Sequence, residues 1–313
     1  MTTTNAPADA LVERPSLRRA RLRESLAGYG FMAPWLAGFF ALTVGPMIAS
    51  LYLSFTDYDL FAPPEFIGAD NYARLLSDPQ FLQSIKVTVI YVVLGTPIKL
   101  AAALGVAMLL NAKRRGLGFY RSAFYAPSLV AASVSIAIVW KAMFIDDGVV
   151  DSSLRIFGVE LGGWVGNPDM TMPMFILLAV WAFGGPMVIF LAGLKQVPGE
   201  LYEAAEMDGA GRLRQFRNIT LPMLSPVIFF NLLMETIGSF QVFGSAFIIS
   251  GGTGGPAGST LFYTLYLYQR GFRDFAMGYA SAMAWLLVIA VGLITILLFR
   301  TSKAWVHYQG DAK

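Results

Sequence analysis

Six apolar stretches alternate with polar segments along the chain, near residues 30–56, 84–110, 119–144, 172–194, 226–250 and 276–300. Each is long enough to carry an α-helix across a hydrocarbon layer of about 30 Å. The pattern predicts an all-α integral membrane protein with six transmembrane helices inside a transmembrane domain spanning 29–306. Prolines fall inside several of the stretches, among them Pro46, Pro97, Pro127 and Pro186. Neighbouring helices can satisfy the backbone groups that proline frees, so these positions predict kinks rather than breaks in the bundle. Residues 1–28 are polar and carry Arg14, Arg18, Arg19, Arg21 and Arg23 just before the first apolar run. That run is long enough to span and has no small-residue cleavage pattern at its end, so it reads as a retained helix after a cytosolic tail with a basic surface helix. Residues 307–313 form a short C-terminal tail.

Composition agrees. Hydrophobic residues make up 56% and charged residues 14% of the 313, with a mean hydropathy of +0.59, outside the range of soluble domains. Cysteine is absent and His307 is the single histidine, which excludes a disulfide framework, a thiolate site and a multi-histidine metal centre. The net charge of +3 belongs to particular loops, so topology explains it without nucleic acid. The N-terminal tail holds five arginines. The 111–121 loop adds Lys113, Arg114, Arg115 and Arg121; the 195–225 loop adds Lys195, Arg212, Arg214 and Arg217; the C-terminal tail adds Arg300, Lys303 and Lys313. The intervening loops hold only Arg74, Arg155, Arg270 and Arg273. By the positive-inside rule both termini and the 195–225 loop are expected in the cytoplasm, with the loops at 57–83, 145–171 and 251–275 facing outward. Tyr52, Tyr58, Phe119, Tyr120, Trp305 and Tyr308 fall at the expected interfaces, where aromatic rings anchor.

The loop at 195–225 contains the polar island Glu200–Pro226. Pro198 and Gly199 break the fourth stretch. Glu200 to Met207 reads as a short helix with acids in its first turns, where they suit the macrodipole. Gly209 and Gly211 end it. Leu213 to Ile219 resumes as a basic amphipathic segment, and Pro222 and Pro226 mark entry to the fifth span. A plain connection could be much shorter. Ala204 and Ala205 strip bulk from one surface so that another protein's groove can approach, while Glu203 and Asp208 offer docking charges.

Glu203-Ala204-Ala205, then Gly209, Ile219 and Leu221-Pro222, resembles the EAA loop of bacterial ABC importer permeases. The fuller pattern at Pro198, Glu200 to Ala205, Asp208 to Ala210, Phe216 and Ile219 to Pro222 is similar to the carbohydrate-type branch of maltose and multiple-sugar permeases. SFQVF at 239–243, GGPAGST at 254–260, the aromatic run 263–268, MGYASAMAW at 277–285 and FIGADNYARLLSDPQF at 66–81 extend the likeness over nearly everything except the N-terminal tail. The resemblance implies a type I importer-like permease in the bacterial inner membrane, forming half of a sugar path by alternating access. It implies as partners a second permease subunit, two nucleotide-binding ATPase subunits, an external solute-binding protein, the sugar and membrane lipid. Glu203, Ala204, Ala205, Asp208, Gly209, Ile219, Leu221 and Pro222 then form the ATPase-coupling element. No enzyme activity and no cofactor is expected in this chain; ATP and Mg belong to the partner ATPase.

Ionisable residues inside spans are costly and are functional candidates by default. Glu235 lies in the fifth stretch and Lys99 in the second, placed to pair, to line the path or to face water; Lys86 and Lys141, near helix ends, are expected to snorkel. A sugar needs paired hydroxyl partners and an aromatic face, and the fifth stretch offers Asn231, Ser239, Gln241 and Ser245 beside Phe240 and Phe243. Polar residues in spans also serve as interhelical glue. GGTGGPAGST at 251–260 lacks the Gly-Lys-Ser ending of a phosphate loop; Gly254, Gly255, Pro256 and Thr260 are expected to form a tight turn at an external gate. A secondary transporter lacks support in an inverted repeat or a run of intramembrane acids, and a membrane enzyme lacks HExxH, GxSxG or a ligand cluster. An oligosaccharide, a monosaccharide, a polyol and a sugar phosphate all fit the residues.

Overall fold

The computed structural model describes residues 17–112, 116–131, 133–159 and 163–307. Arg14 with the rest of the tail to residue 16, the loop bases Lys113, Arg114 and Arg115, and the terminal Tyr308 and Lys313 lie outside the described residues. The chain divides into an N-terminal unit ending at Tyr52 and a larger one beginning at Leu53.

The N-terminal unit is helical. α1 covers Leu17–Phe39, a π turn covers Phe40–Val44, and α2 runs over Gly45–Leu53. The basic run Arg18–Arg23 is therefore continuous with the apolar segment instead of forming a separate surface helix; Arg, Leu and Ala are all good helix formers. Pro46 has no N–H to donate, and the ladder slips to an i−5 bond from Gly45 to Phe40 just before it.

The larger unit starts with a short antiparallel ladder, β1 (Thr56–Asp57) against β2 (Glu65–Phe66), with Thr56 opposite Phe66. α3 (Asp70–Ser77) leads into α4 (Pro79–Leu110), which runs unbroken through Pro97. α5 (Leu117–Val130) and α6 (Val134–Phe144) follow, then α7 (Val149–Ile156). α8 (Pro168–Trp181) is bent by 46° from α9 (Gly184–Leu194), with Pro186 in the first turn of α9. The remainder comprises α10 (Gly199–Met207), α11 (Arg212–Gln215), α12 (Leu221–Phe240), α13 (Gly244–Ser250), α14 (Tyr263–Tyr268) and α15 (Met277–Ser302). A π turn at Phe216–Thr220 joins α11 to α12, and another at Gln269–Arg273 follows α14.

Among the described residues, four helical stretches, Gly28–Leu53, Pro79–Leu110, Arg212–Phe240 and Met277–Ser302, are long and apolar enough to cross a membrane. Counting each bent pair, Leu117–Val130 with Val134–Ile156 and Pro168–Trp181 with Gly184–Leu194, as one span raises the number to six. The stretch expected as one helix over 226–250 is interrupted. α12 stops at Phe240, and Gln241 closes it by donating its N–H to the Gly238 carbonyl at 3.0 Å. Both pieces are apolar, so hydropathy alone does not reveal the break.

α4 is the central post. Its Leu100, Ala103, Ala107 and Leu110 pack with Met187, Phe190, Leu191 and Leu194 of α9 and Leu224 of α12. Val87 and Tyr91 join Trp140 and Phe144 of α6, Met174 and Phe175 of α8 and Ile249 of α13. Near its start, Phe81 packs with Leu75, Tyr263, Tyr266 and Met283. Val288, Ile289, Leu293, Ile296 and Leu297 of α15 remain exposed, as expected of a helix bathed in lipid.

Candidate functional site

α10 follows Pro198, which is extended and pre-set for a helix start. Its end is a Schellman motif: Gly209 takes a left-handed φ of +74°, its N–H bonds the Glu206 carbonyl at 3.0 Å, and the Ala210 N–H reaches back to Ala205 at 2.8 Å. Nothing lies within 4 Å of a side-chain carbon built on Gly209, so the glycine answers a backbone demand and not a lack of room. Glu203, Ala204, Asp208 and Gly209 are exposed, and Ala205 is half-buried. Ile219, Leu221 and Pro222 sit apart from that exposed ridge, half-buried at the entry to α12. Pro222 removes a donor, and the ladder shifts to the π turn Phe216–Thr220 immediately before α12.

Three features of this hairpin were not legible as site residues. Met207 is 90% exposed and Leu213 is 79% exposed, a large apolar offering on a polar element. Tyr202 shares a hydrogen bond with Thr220 at 2.9 Å, tying α10 to the base of α12. A carbon added to Gly193 of α9 would lie 2.9 Å from Leu224 and Val227 of α12, so α9 and α12 approach closely where the hairpin begins.

The residues considered for a solute path divide between two states. Asn231 is buried and donates to its own helix, to the Val227 carbonyl at 3.1 Å. Ser239 is buried and shares a hydrogen bond with Thr96 of α4 at 2.9 Å. Phe240 is buried in the core. Glu235 is partly exposed and pairs with Lys99, Oε2 to Nζ, at 2.7 Å. Gln241 is exposed, Ser245 is half-buried, and the Phe243 ring meets those of Phe247 and Tyr268. Buried Asn231 and Ser239 thus serve packing, while Glu235 and Gln241 keep accessible surface.

In the glycine-rich turn, Gly254 and Gly255 are left-handed, with φ of +90° and +70°. Pro256 opens a 3-10 turn, and the Thr260 N–H returns to the Gly254 carbonyl at 3.0 Å. The hydroxyl of Thr260 is buried without a hydrogen-bond partner among the described residues. Gln83 of α4 donates to the Gly258 carbonyl at 3.3 Å and Gln269 to that of Gly252 at 2.7 Å. The segment is a constrained turn strapped to its neighbours.

Asp78 gathers partners from distant parts of the chain. One carboxylate oxygen caps α4, accepting from the N–H of Gln80 at 2.9 Å and of Phe81 at 3.4 Å. The other accepts from the Tyr266 hydroxyl, from Tyr279 at 2.6 Å and from Arg270 at 3.4 Å. The Arg270 guanidinium also lies over the rings of Tyr266 and Tyr279. Burial alone would raise the carboxyl pKa, but the hydrogen bonds from Tyr266, Tyr279 and the α4 backbone outweigh it and hold Asp78 below the ordinary 3.8. A cavity of about 360 Å³ opens beside this cluster, with Asp57, Asn71 and Arg74 on its wall.

Helices of spanning length packed around α4 are the frame of an integral membrane protein. The chain belongs to the family of binding-protein-dependent transport system inner membrane components, matched over residues 72–306; it is a multi-pass membrane permease. It is 49% identical to the probable ABC transporter permease protein YesP of Bacillus subtilis (strain 168), over 98% of each chain. Identity to the lactose transport system permease protein LacF of Rhizobium radiobacter is 35%, over 94% of this chain and 99% of that one. A solved bacterial ABC transporter involved in the import of alginate shares the fold, with a TM-score of 0.76 at 22% identity, covering 93% of this chain and 99% of that one.

Proposed function

We propose that this chain is one of two permease subunits of an ATP-driven sugar importer in the bacterial inner membrane, with both termini in the cytoplasm. The observation that carries the reading is α10: a short helix, closed by the left-handed Gly209, that presents Glu203, Ala204 and Met207 to solvent. In this reading α10 seats in a cleft of a separate ATPase subunit, which holds ATP and Mg; this chain brings no cofactor of its own. A second permease completes the path, a second ATPase serves that permease, and an external solute-binding protein delivers the sugar, in keeping with the family's binding-protein dependence. The kinship with a lactose permease supports a carbohydrate cargo.

The geometry suggests how the stroke travels. The chain leaves Gly209, forms α11 and the π turn, and enters α12 without a flexible break. The Tyr202–Thr220 bond holds α10 against that entry, so a shift of α10 is passed to α12. From α12 the Lys99–Glu235 and Thr96–Ser239 contacts lead to α4. ATP alters the access state only if the ATPase grips α10 differently in its open and closed forms. The path is expected past Glu235 of α12 and its cap Gln241, with the turn around Gly254, Gly255, Pro256 and Thr260 near the external gate. The test is uptake by vesicles containing the chain, its partner permease, the ATPase and the binding protein. Uptake should require all four and ATP; uptake that continues without ATP contradicts the proposal.

A further inference from the structure

Two full charges face each other within the apolar length of the molecule. Lys99 of α4 and Glu235 of α12 meet at 2.7 Å, with their side chains 16% and 20% exposed. A turn away, the Thr96–Ser239 pair seals the same seam and is buried, so accessible polar surface is concentrated on the charged ends. Charged groups are costly against acyl chains, so the exposed part of this pair must meet water or protein. Three residues beyond Glu235 on α12 stands Gly238, and Gln241 caps the helix just after Phe240. Gly238 and Gln241 are exposed, and a carbon added to Gly238 has nothing within 4 Å. The helix is therefore open at Gly238 and ends in an exposed amide at Gln241, a few residues from the charged pair.

We propose that the Lys99–Glu235 pair is a charge filter of the translocation path that sets it to neutral polyhydroxy solutes. The inference rests on the permease reading above and narrows its substrate class. Paired, the ammonium and carboxylate cancel each other's field while still offering one hydrogen-bond donor group and one acceptor group to passing hydroxyls. Separated, either would be a lone charge in a low-dielectric cleft, where field lines focus and counter-ions concentrate by roughly tenfold or more. With the field cancelled, the desolvation of a uronate or amino sugar in the cleft goes uncompensated, whereas a neutral sugar meets no such cost. Glu235 and Lys99 are in this sense specificity-determining residues, and their roles are opposite in sign.

The absence of cysteine from the chain makes the test direct. Glu235→Cys leaves Lys99 unpaired, and Lys99→Cys leaves Glu235 unpaired. Each variant is reconstituted with cysteine-free partner subunits and treated with an anionic sulfonatoethyl or a cationic trimethylammonioethyl methanethiosulfonate, with rates normalised to a small free thiol. The expected result is a preference of about tenfold or more for the anionic reagent at Glu235→Cys and a reversed preference at Lys99→Cys. Adding Lys99→Gln to Glu235→Cys should abolish the first preference, which separates the charge from any distortion caused by substitution. Equal preferences at the two sites, or no reaction at either in any nucleotide state, overturn the filter. ATP hydrolysis stimulated by the binding protein, measured on the wild-type complex in the same vesicles, reports on the permease reading separately. Its presence alongside a failed labelling pattern rejects the filter alone, and its absence rejects the reading beneath it.

Discussion

Gly209 illustrates how a single residue acts through its backbone. Space is open around it, so size is not what the fold resists; the left-handed φ of +74° is. Alanine there should cost about 1–2 kcal/mol, and asparagine, which visits that region more readily, should cost less. Uptake is predicted to fall in the order Gly209, Gly209→Asn, Gly209→Ala, with Gly209→Trp inactive yet inserted in the membrane. An alanine variant equal to wild type would show that the turn conformation is unimportant. Asp78 makes the complementary case. Its place before Pro79 marks it as a helix cap, but its partners Tyr266, Arg270 and Tyr279 lie 188 to 201 residues away, and no local pattern discloses them. Because its folded pKa is depressed, the stability it contributes is present above about pH 4 and is lost as pH falls through the folded value. Asp78→Asn should lower stability by about 2 kcal/mol at neutral pH. It should also flatten the acid limb of the unfolding midpoint measured in detergent; an unchanged limb would remove Asp78 from the account.

At the scale of elements, what was legible followed from periodicity and punctuation. Pro198, Gly209 and Pro222 bound α10 and the entry to α12 as read, because proline and glycine constrain the backbone wherever they stand. The break between α12 and α13 was hidden, since it depends on tertiary hydrogen bonds; the Val242 carbonyl is taken by the Thr264 hydroxyl at 2.5 Å. The pairing of Lys99 with Glu235 was open for the same reason, as hydropathy reports depth and not which helices are neighbours. The link from α10 to α12 also escaped notice, because a tyrosine and a threonine 18 residues apart carry no signature. Tyr202→Phe removes that link and nothing else. With roughly 1 kcal/mol for one such bond, the sugar moved per ATP hydrolysed is predicted to drop severalfold while hydrolysis continues. An unchanged ratio would mean that the stroke reaches α12 by another route.

For the whole molecule, the exposed apolar surface of α15, the helices of spanning length and the family match converge on a membrane permease. In the proposed function the basic loops orient it, and α10 is the surface that couples it to the nucleotide held by a partner. Met207, 90% exposed on α10, is the natural reporter of that proposed docking. The most direct measurement places a photoreactive benzoyl-phenylalanine at position 207 in the reconstituted importer, irradiates with and without ATP, and identifies the adduct by mass spectrometry. The account predicts a cross-link to the ATPase subunit whose yield changes between the two nucleotide states. Adducts to lipid alone, in an importer that still transports, would contradict it.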